Sequence, residues 1–245
     1  MAAPITDRLA VLIDSDNAQA SLIGELLIEI ARYGTATVKR AYGDWTTANL
    51  GGWKDALLKH AIQPIQQFRY TTGKNATDSA LIIDAMDLLH GGRVDGFCLV
   101  SSDSDFTRLA TRIREAGLIV YGFGQKKTPK PLVAACNKFI YTEILGSQSS
   151  SSEKETVEAE IEPLQPLLVQ AISDATRDDG WAALGVVGSL ITKSHPSFDA
   201  RNYGFPKLSE LVQKQRYLEI RSEPTADGTA RHLYVKMKPV AGRRN

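Results

Sequence analysis

The chain has 245 residues, of which 43% are hydrophobic and 23% are charged, and its formal net charge at pH 7 is +1. This composition is typical of a soluble globular protein, and no apolar run reaches the roughly 18 residues that a membrane span needs. The two cysteines, Cys98 and Cys136, are too few and too far apart for a disulfide framework or a zinc site, so a cytoplasmic protein is expected.

Charge and composition divide the chain into three parts. Residues 147–163 are rich in Ser and Glu and almost free of large apolar side chains. Such a stretch cannot bury a core and predicts a flexible acidic linker between a domain at 1–146 and another at 164–245. The second domain holds 12 Lys and Arg against 8 Asp and Glu. This basic excess is compatible with a polyanionic partner.

Before the linker, short apolar segments alternate with amphipathic ones. Strands are predicted at 9–13, 35–41, 62–70, 97–100 and from residue 118. Helices are predicted at 18–32, 47–60, 77–89 and about 105–116. This order predicts an α/β fold, a mainly parallel sheet flanked by helices on both faces. In such folds ligands gather at the carboxyl ends of the strands, where the strand order reverses.

After the linker the pattern changes to a small domain of another kind. Helices are predicted at 164–176, from Gly180 to a stop near Pro196, and at 205–215. Residues 217–237 alternate apolar and polar side chains around a turn at Asp227 and Gly228, which is typical of a β-hairpin. Three helices followed by a hairpin predict a winged-helix domain.

Aspartates end two of the predicted strands. Asp14 follows the strand at 9–13, and Asp103 and Asp105 follow the strand at 97–100. Two carboxylates this close repel each other unless a positive charge lies between them. If both strands belong to one parallel sheet, their carboxyl ends lie at the same edge, and the three side chains form one acidic site.

A third acidic contribution comes from the helix predicted at 77–89. Asp78 lies in its first turn and Asp84 lies six residues further on. Six helical steps turn the side chain by about 240° net, so the two cannot share one face. Asp78 is the expected member of the site because it lies nearer the start of the helix.

Several aspartates at one sheet edge favour a hard cation such as Mg²⁺ or Mn²⁺, which prefers carboxylate oxygens. A cation held there can activate water and stabilise the charge of a phosphodiester during hydrolysis. The plain alternative is helix capping, for which Asp16, Asn17, Asp78 and Asp105 are all suited. A lesser alternative is a phosphatase of the haloacid dehalogenase type, but the acidic pair of that class is here Asp-Ser-Asp-Phe.

Four segments, "VLIDSDN", "GKNATDSALIIDAM", "LVSSDSDFTRLA" and "GLIVYGFG", together resemble the NYN domain of the PIN-like nucleases, in its LabA-like branch. The resemblance covers about residues 7–145. It implies a PIN-like fold and a Mg²⁺- or Mn²⁺-dependent ribonuclease. The catalytic and metal-binding residues implied are Asp14, Asp78, Asp103 and Asp105, with Asn17 and Ser101 as supporting polar residues. Single-stranded DNA stays an alternative substrate, because a carboxylate–metal site does not itself distinguish the 2′-hydroxyl.

The stretch "DDGWAALGVVGSLITKSHPSFDARNYGFPKLSELV" resembles the LOTUS (OST-HTH) domain over about residues 164–238. This resemblance implies a winged helix that binds RNA or a protein partner. Aromatic candidates for base stacking, with core packing as the alternative, are Trp181, Tyr203 and Phe205. Candidate RNA contacts are Lys39, Arg40, Lys74, Arg108, Lys193, Arg201 and Lys207. A catalytically inactive RNA-binding or adaptor protein is the alternative to the nuclease.

Overall fold

The computed structural model describes residues 6–68, 76–146, 162–224 and 231–239. The chain forms two compact units, Met1–Glu155 and Thr156–Asn245, and each is described by itself. Three predicted features lie outside the described residues: Lys74, the turn at 227–228 and, for residues 147–161, the linker.

The first unit alternates strands with helices along the chain. Its strands are β1 Arg8–Asp14, β2 Thr35–Gly43, β3 Gln63–Gln66, β4 Gly96–Val100, β5 Ile119–Gly124 and β6 Lys138–Tyr141. Its helices are α1 Ile23–Ile30, α2 Trp53–His60, α3 Ala76–His90, α4 Thr107–Glu115 and α5 Lys130–Ala135. The strands pair in parallel in the order β3-β2-β1-β4-β5-β6. The predicted α/β fold with a parallel sheet flanked by helices is thereby confirmed.

The two central strands are apolar because both faces of the sheet are covered. In β1, Ala10 and Leu12 join the core that contains Leu81 of α3, whereas Val11 and Ile13 join the core on the other side. Strands buried on both faces need continuous apolar runs rather than alternation. The sequence of β1 meets this requirement up to Asp14.

Several predicted boundaries were wrong. Strand β3 ends at Gln66, and residues 67–68 are not in a strand. Helices α1, α2 and α4 each begin later than predicted because a short 3₁₀ turn precedes them. These turns are Ala20–Leu22, Ala48–Leu50 and Ser104–Phe106. Helix α5 and strand β6 were not predicted, because both are short segments in which "Pro-Lys-Pro" interrupts the apolar pattern.

The strand order reverses between β1 and β4. The chain proceeds outward from β1 to β2 and β3, then returns to the other side of β1 for β4, β5 and β6. Ile13 of β1 lies opposite Val100 of β4 in the parallel register. Asp14 and Ser101 therefore leave the sheet side by side, in the crevice where α/β sheets bind ligands.

The second unit contains α6 Leu164–Ala175, α7 Leu184–Ser194 and α8 Leu208–Gln213. Its antiparallel sheet has the order β7-β9-β8, with β7 Ala182–Ala183, β8 Leu218–Pro224 and β9 Arg231–Met237. Three helices and a terminal hairpin match the predicted winged helix. The helix expected from Gly180 begins only at Leu184, because Ala182 and Ala183 first pair with Val235 and Tyr234 of β9.

No helix within the described ranges combines the length and the apolar character that crossing a bilayer requires.

Candidate metal centre

Asp14 ends strand β1 and is almost completely buried, with 1% of its surface exposed. Its Oδ2 accepts hydrogen bonds of 2.7 Å from Ser101 Oγ and of 2.7 Å from Asn17 Nδ2. Its Oδ1 accepts the backbone N–H of Asp16 at 3.2 Å. Burial raises the pKa of Asp14, and the hydrogen bonds from Ser101 and Asn17 oppose that rise. The two supporting polar residues expected from the sequence thus both contact Asp14.

Three further carboxylates form a cluster at the same edge of the sheet. One oxygen from each of Asp78, Asp103 and Asp105 lies within 4.8 Å of the other two. Asp78 comes from the first turn of α3, and the other two come from the loop and 3₁₀ turn after β4. Three segments far apart in the sequence therefore contribute to the cluster.

The loop after β4 is shaped by its own side chains. The backbone N–H of Asp103 donates to Ser101 Oγ at 3.0 Å, and that of Asp105 donates to Asp103 Oδ1 at 2.9 Å. Asp103 is thus the N-cap of the 3₁₀ turn Ser104–Phe106 as well as a member of the cluster. Capping and cluster membership coexist at this residue, although the sequence analysis treated them as alternatives.

The cluster is electrostatically strained without a cation. The pKa of Asp78 is raised to about 6, first by burial and then by the charges of neighbouring aspartates. Those neighbours are Asp14, Asp103, Asp105 and Asp16. Asp16 was considered only as a cap in the sequence, yet its charge reaches Asp78. The repeated Asp-Ser-Asp pattern at 14–16 and 103–105 was the signal that could have identified it.

The donor set fits a hard divalent cation. Mg²⁺ binds oxygen at about 2.0–2.1 Å, so ligands on opposite sides of it are at most about 4.2 Å apart. The oxygens of Asp78, Asp103 and Asp105 lie close to that limit, and the raised pKa of Asp78 shows that a positive charge is lacking. Asp14 is not part of this group of three within the described residues; its oxygens already accept hydrogen bonds.

Asp84 has a different role from Asp78. Its two carboxylate oxygens accept hydrogen bonds from Arg40 and from the hydroxyl of Tyr42, both on β2. The Arg40–Asp84 ion pair is only partly exposed, with 27% and 22% of the side chains accessible. Asp84 therefore anchors α3 to the sheet and stays outside the acidic cluster.

An aspartate after a strand is not sufficient for membership in the site. Asp44 follows β2 as Asp14 follows β1, and it is 7% exposed. Its Oδ1 accepts hydrogen bonds from Thr46 Oγ1 at 2.6 Å and Gln66 Nε2 at 2.9 Å. These bonds hold the loop between β2 and the edge strand β3, away from the point where the strand order reverses.

The basic candidates of the first unit lie in different surroundings. Lys39 lies in the middle of β2, and its Nζ donates to the carbonyl of His60 at the end of α2. Arg40 is held by Asp84. Arg108 is exposed in the first turn of α4, three residues after Asp105, and lies nearest to the cluster in sequence.

In the second unit, Lys193 and Lys207 are exposed. Arg201 is held by Asp199 through hydrogen bonds of 2.9 and 2.8 Å. Tyr203 and Phe205 pack against the apolar core of the unit, which agrees with the core alternative for these two aromatics. Trp181 does not belong to that core cluster, and its surroundings are described below.

Two family models match the chain, the NYN domain over residues 8–146 and the OST-HTH/LOTUS domain over residues 157–228. No curated protein sequence matches it.

Solved structures with similarity to parts of the chain come from three bacteria. A Vibrio parahaemolyticus protein of unknown function is 17% identical, with a TM-score of 0.48, covering 57% of this chain and 94% of its own. An uncharacterized Nitrosomonas europaea protein is 27% identical, with a TM-score of 0.32, covering 40% of this chain and 94% of its own. A Chromobacterium violaceum protein is 35% identical, with a TM-score of 0.27, covering 34% of this chain and 91% of its own.

Proposed function

This chain belongs to the NYN domain family, and from that premise we propose that it is a divalent-metal-dependent ribonuclease that hydrolyses RNA phosphodiesters. The observation that supports this most strongly is the cluster of Asp78, Asp103 and Asp105 where the strand order reverses. No other reading explains why three carboxylates from distant segments share a small volume at a ligand-binding edge.

The residues have separate roles in this proposal. Asp78, Asp103 and Asp105 hold one Mg²⁺ or Mn²⁺, and Asp14 adds a nearby negative charge that favours the cation. Ser101 keeps the site in place, because its hydroxyl contacts both the carboxylate of Asp14 and the backbone of Asp103. Asn17 fixes Asp14 from the other side of β1.

When bound, the cation supplies the Lewis acidity that activates water and neutralises charge on the phosphate. The protein then has to position the RNA backbone. Arg108, exposed at the start of α4 beside the cluster, is the first-domain cation proposed to contact a phosphate. Arg40 is less suited, because Asp84 already holds its guanidinium.

The C-terminal winged helix recruits RNA or a protein partner in this proposal. The Ser- and Glu-rich sequence of 147–163 acts as the tether. A tether raises the effective concentration of substrate near the metal centre without fixing its geometry.

The deciding experiment compares the wild type with Asp103→Asn. Titration calorimetry measures Mn²⁺ binding, and a parallel assay follows cleavage of mixed RNA. We expect Asp103→Asn to abolish cleavage and to weaken Mn²⁺ binding at least tenfold while the fold persists. Asp87→Asn is the matched control, because Asp87 is exposed on α3 outside the cluster.

A wild-type protein that neither binds Mn²⁺ nor cleaves any RNA class beyond the Asp103→Asn background would refute the nuclease proposal. The non-enzymatic adaptor would then be the better description.

A further inference from the structure

The small sheet of the second unit has one apolar face and one face of aromatic and charged side chains. Along β8 and β9, alternate residues join the apolar core of the unit: Leu218, Ile220, Leu233, Val235 and Met237. The residues between them lie on the opposite face because successive side chains of a strand alternate. That outer face carries Arg221 and its directly paired neighbour Tyr234.

Trp181 is held at the edge of this outer face by a tight turn. The backbone N–H of Arg177 donates to the carbonyl of Trp181 at 3.1 Å, and that of Gly180 donates to Arg177 at 2.8 Å. The N–H of Trp181 donates to Asp179 Oδ1 at 3.0 Å. Gly180 has a φ of +78°, which favours glycine. The indole thus has a fixed position beside β7 instead of lying in the core.

Two cations lie against the aromatic rings. The guanidinium carbon of Arg221 is 4.7 Å from the centroid of Trp181 and 5.2 Å from that of Tyr234. Nζ of Lys236 is 5.8 Å from the Trp181 centroid. Trp181, Arg221, Tyr234 and Lys236 are named the Trp181 face below. Aromatic rings interleaved with Arg and Lys are the chemistry by which proteins stack bases and contact phosphates of single strands.

We propose that the Trp181 face binds single-stranded RNA, with bases stacking on Trp181 and Tyr234 and with Lys236 and Arg221 near the phosphates. This inference rests on the proposed function in one respect, that the C-terminal domain recruits RNA. The occupant is an anion by charge, since residues 164–245 carry 12 Lys and Arg against 8 Asp and Glu. None of the four side chains belongs to the apolar core cluster of the described residues, so packing does not account for the two rings.

The charge on this face sets how binding depends on salt. Arg221 is shared with Glu223 at 3.1 Å and with Asp179 at 3.5 Å, whereas Lys236 has no ion pair within the described part of the chain. Stacking is therefore the larger contribution, and few phosphates are neutralised. The slope of log K against log salt is expected to be about −0.7 to −1.4, which corresponds to one or two phosphates on a single strand.

The test uses the full chain carrying Asp103→Asn, in EDTA, so that neither metal nor cleavage affects the result. Fluorescence anisotropy measures binding of a fluorescein-labelled, mixed-sequence 20-nucleotide RNA. Trp181→Leu and Tyr234→Leu are each expected to weaken binding about 5- to 100-fold. The exposed Gln170→Ala on α6 is the control and stays within twofold.

Folding and location are checked separately. Circular dichroism melting establishes that each variant is folded. The protein labelled with 5-fluorotryptophan gives a ¹⁹F signal for Trp181, assigned with Trp181→Phe, and RNA is expected to shift this signal.

Wild-type affinity retained in Trp181→Leu and Tyr234→Leu would overturn the assignment and direct attention to Lys193 and Lys207. RNA that binds without moving the Trp181 signal would also overturn it, as would the absence of RNA binding with capture of a protein instead. Because the measurement needs no cleavage, its failure is distinguishable from failure of the nuclease proposal.

Discussion

Ser101 Oγ donates a 2.7 Å hydrogen bond to Oδ2 of the buried Asp14, although 87 residues separate them in the sequence. The same hydroxyl accepts the N–H of Asp103, so it connects the two strand ends of the metal centre. Ser101→Ala leaves one oxygen of a buried carboxylate with one donor fewer. We expect a loss of about 1–3 kcal/mol in the free energy of unfolding. We also expect about tenfold weaker Mn²⁺ binding, as for other residues that orient metal ligands.

Chemical denaturation and calorimetry measure the two effects of Ser101→Ala. Ser104→Ala, on the same loop but with an exposed side chain, is the control and changes neither quantity appreciably. If Ser101→Ala behaved like that control, the bridge between the strand ends would have no role in the site.

Asp78 provides a prediction about pH and stability. Its folded pKa of about 6 exceeds the value of about 3.9 in an unfolded chain, so the folded state binds the proton more tightly. Without metal, the protein therefore becomes more stable as the pH falls from about 6 toward 4, and the charged Asp78 destabilises it at pH 7. Asp78→Asn is expected to stabilise the metal-free protein by about 1–2 kcal/mol at pH 7, after allowance for solvent screening.

Thermal melting in EDTA at pH 7 measures this gain, and the exposed Asp87→Asn on the same helix is the control. The gain of Asp78→Asn should shrink at pH 5, where the wild-type carboxyl is largely protonated. An equal or lower Tm for Asp78→Asn at pH 7 would show that the cluster is not strained.

The anchor of α3 gives a third prediction. Asp84→Ala removes the partner of Arg40 and of the Tyr42 hydroxyl between α3 and β2. Because the guanidinium is then left unpaired in a partly buried place, unfolding should become easier by about 2–3 kcal/mol. Mn²⁺ affinity of the folded protein should change less than fivefold, since no carboxylate of the cluster is lost. Tyr42→Phe, which removes only one hydrogen bond, should cost about 1 kcal/mol.

Gly122 of β5 gives a fourth prediction. A Cβ at this position would lie 2.4 Å from Cδ2 of Phe139 and 2.7 Å from Sγ of Cys136. Gly122→Ala therefore overpacks the core and should cost about 1–3 kcal/mol. Gly185→Ala on α7 is the contrast, because nothing lies within 4 Å of its Cβ position. That substitution should stabilise the protein by about 0.5–1 kcal/mol, and denaturation curves of both variants test the pair.

The strand order and the convergence of the acidic segments followed from local patterns. Apolar runs such as the one ending at Asp14 indicated buried parallel strands, and the positions of Asp14 and Asp103 after them indicated a common edge. Helical geometry separated Asp78 from Asp84 before their partners were known. These inferences needed only periodicity and the topology of parallel sheets.

Other features depend on contacts that one sequence does not show. The ion pair of Arg40 with Asp84 joins residues on separate elements, so Arg40 resembled a free cation. Asp44 resembled Asp14 until Thr46 and Gln66 were seen to hold it. Gly122 was noticed as part of a pattern, but its reason is the ring of Phe139 on the neighbouring strand. Long-range partners decided each of these cases.

The position of β4 beside β1 has a consequence for when the enzyme can act. Ser101, Asp103 and Asp105 all follow β4, and Asp14 has its donor from Ser101 only after β4 has paired with β1. A growing chain that has emerged only as far as residue 95 therefore contains a nuclease domain without its centre. Activity begins with the last long-range strand pairing around β1, so an unfinished or misfolded molecule has no means of cutting the RNA from which it is translated.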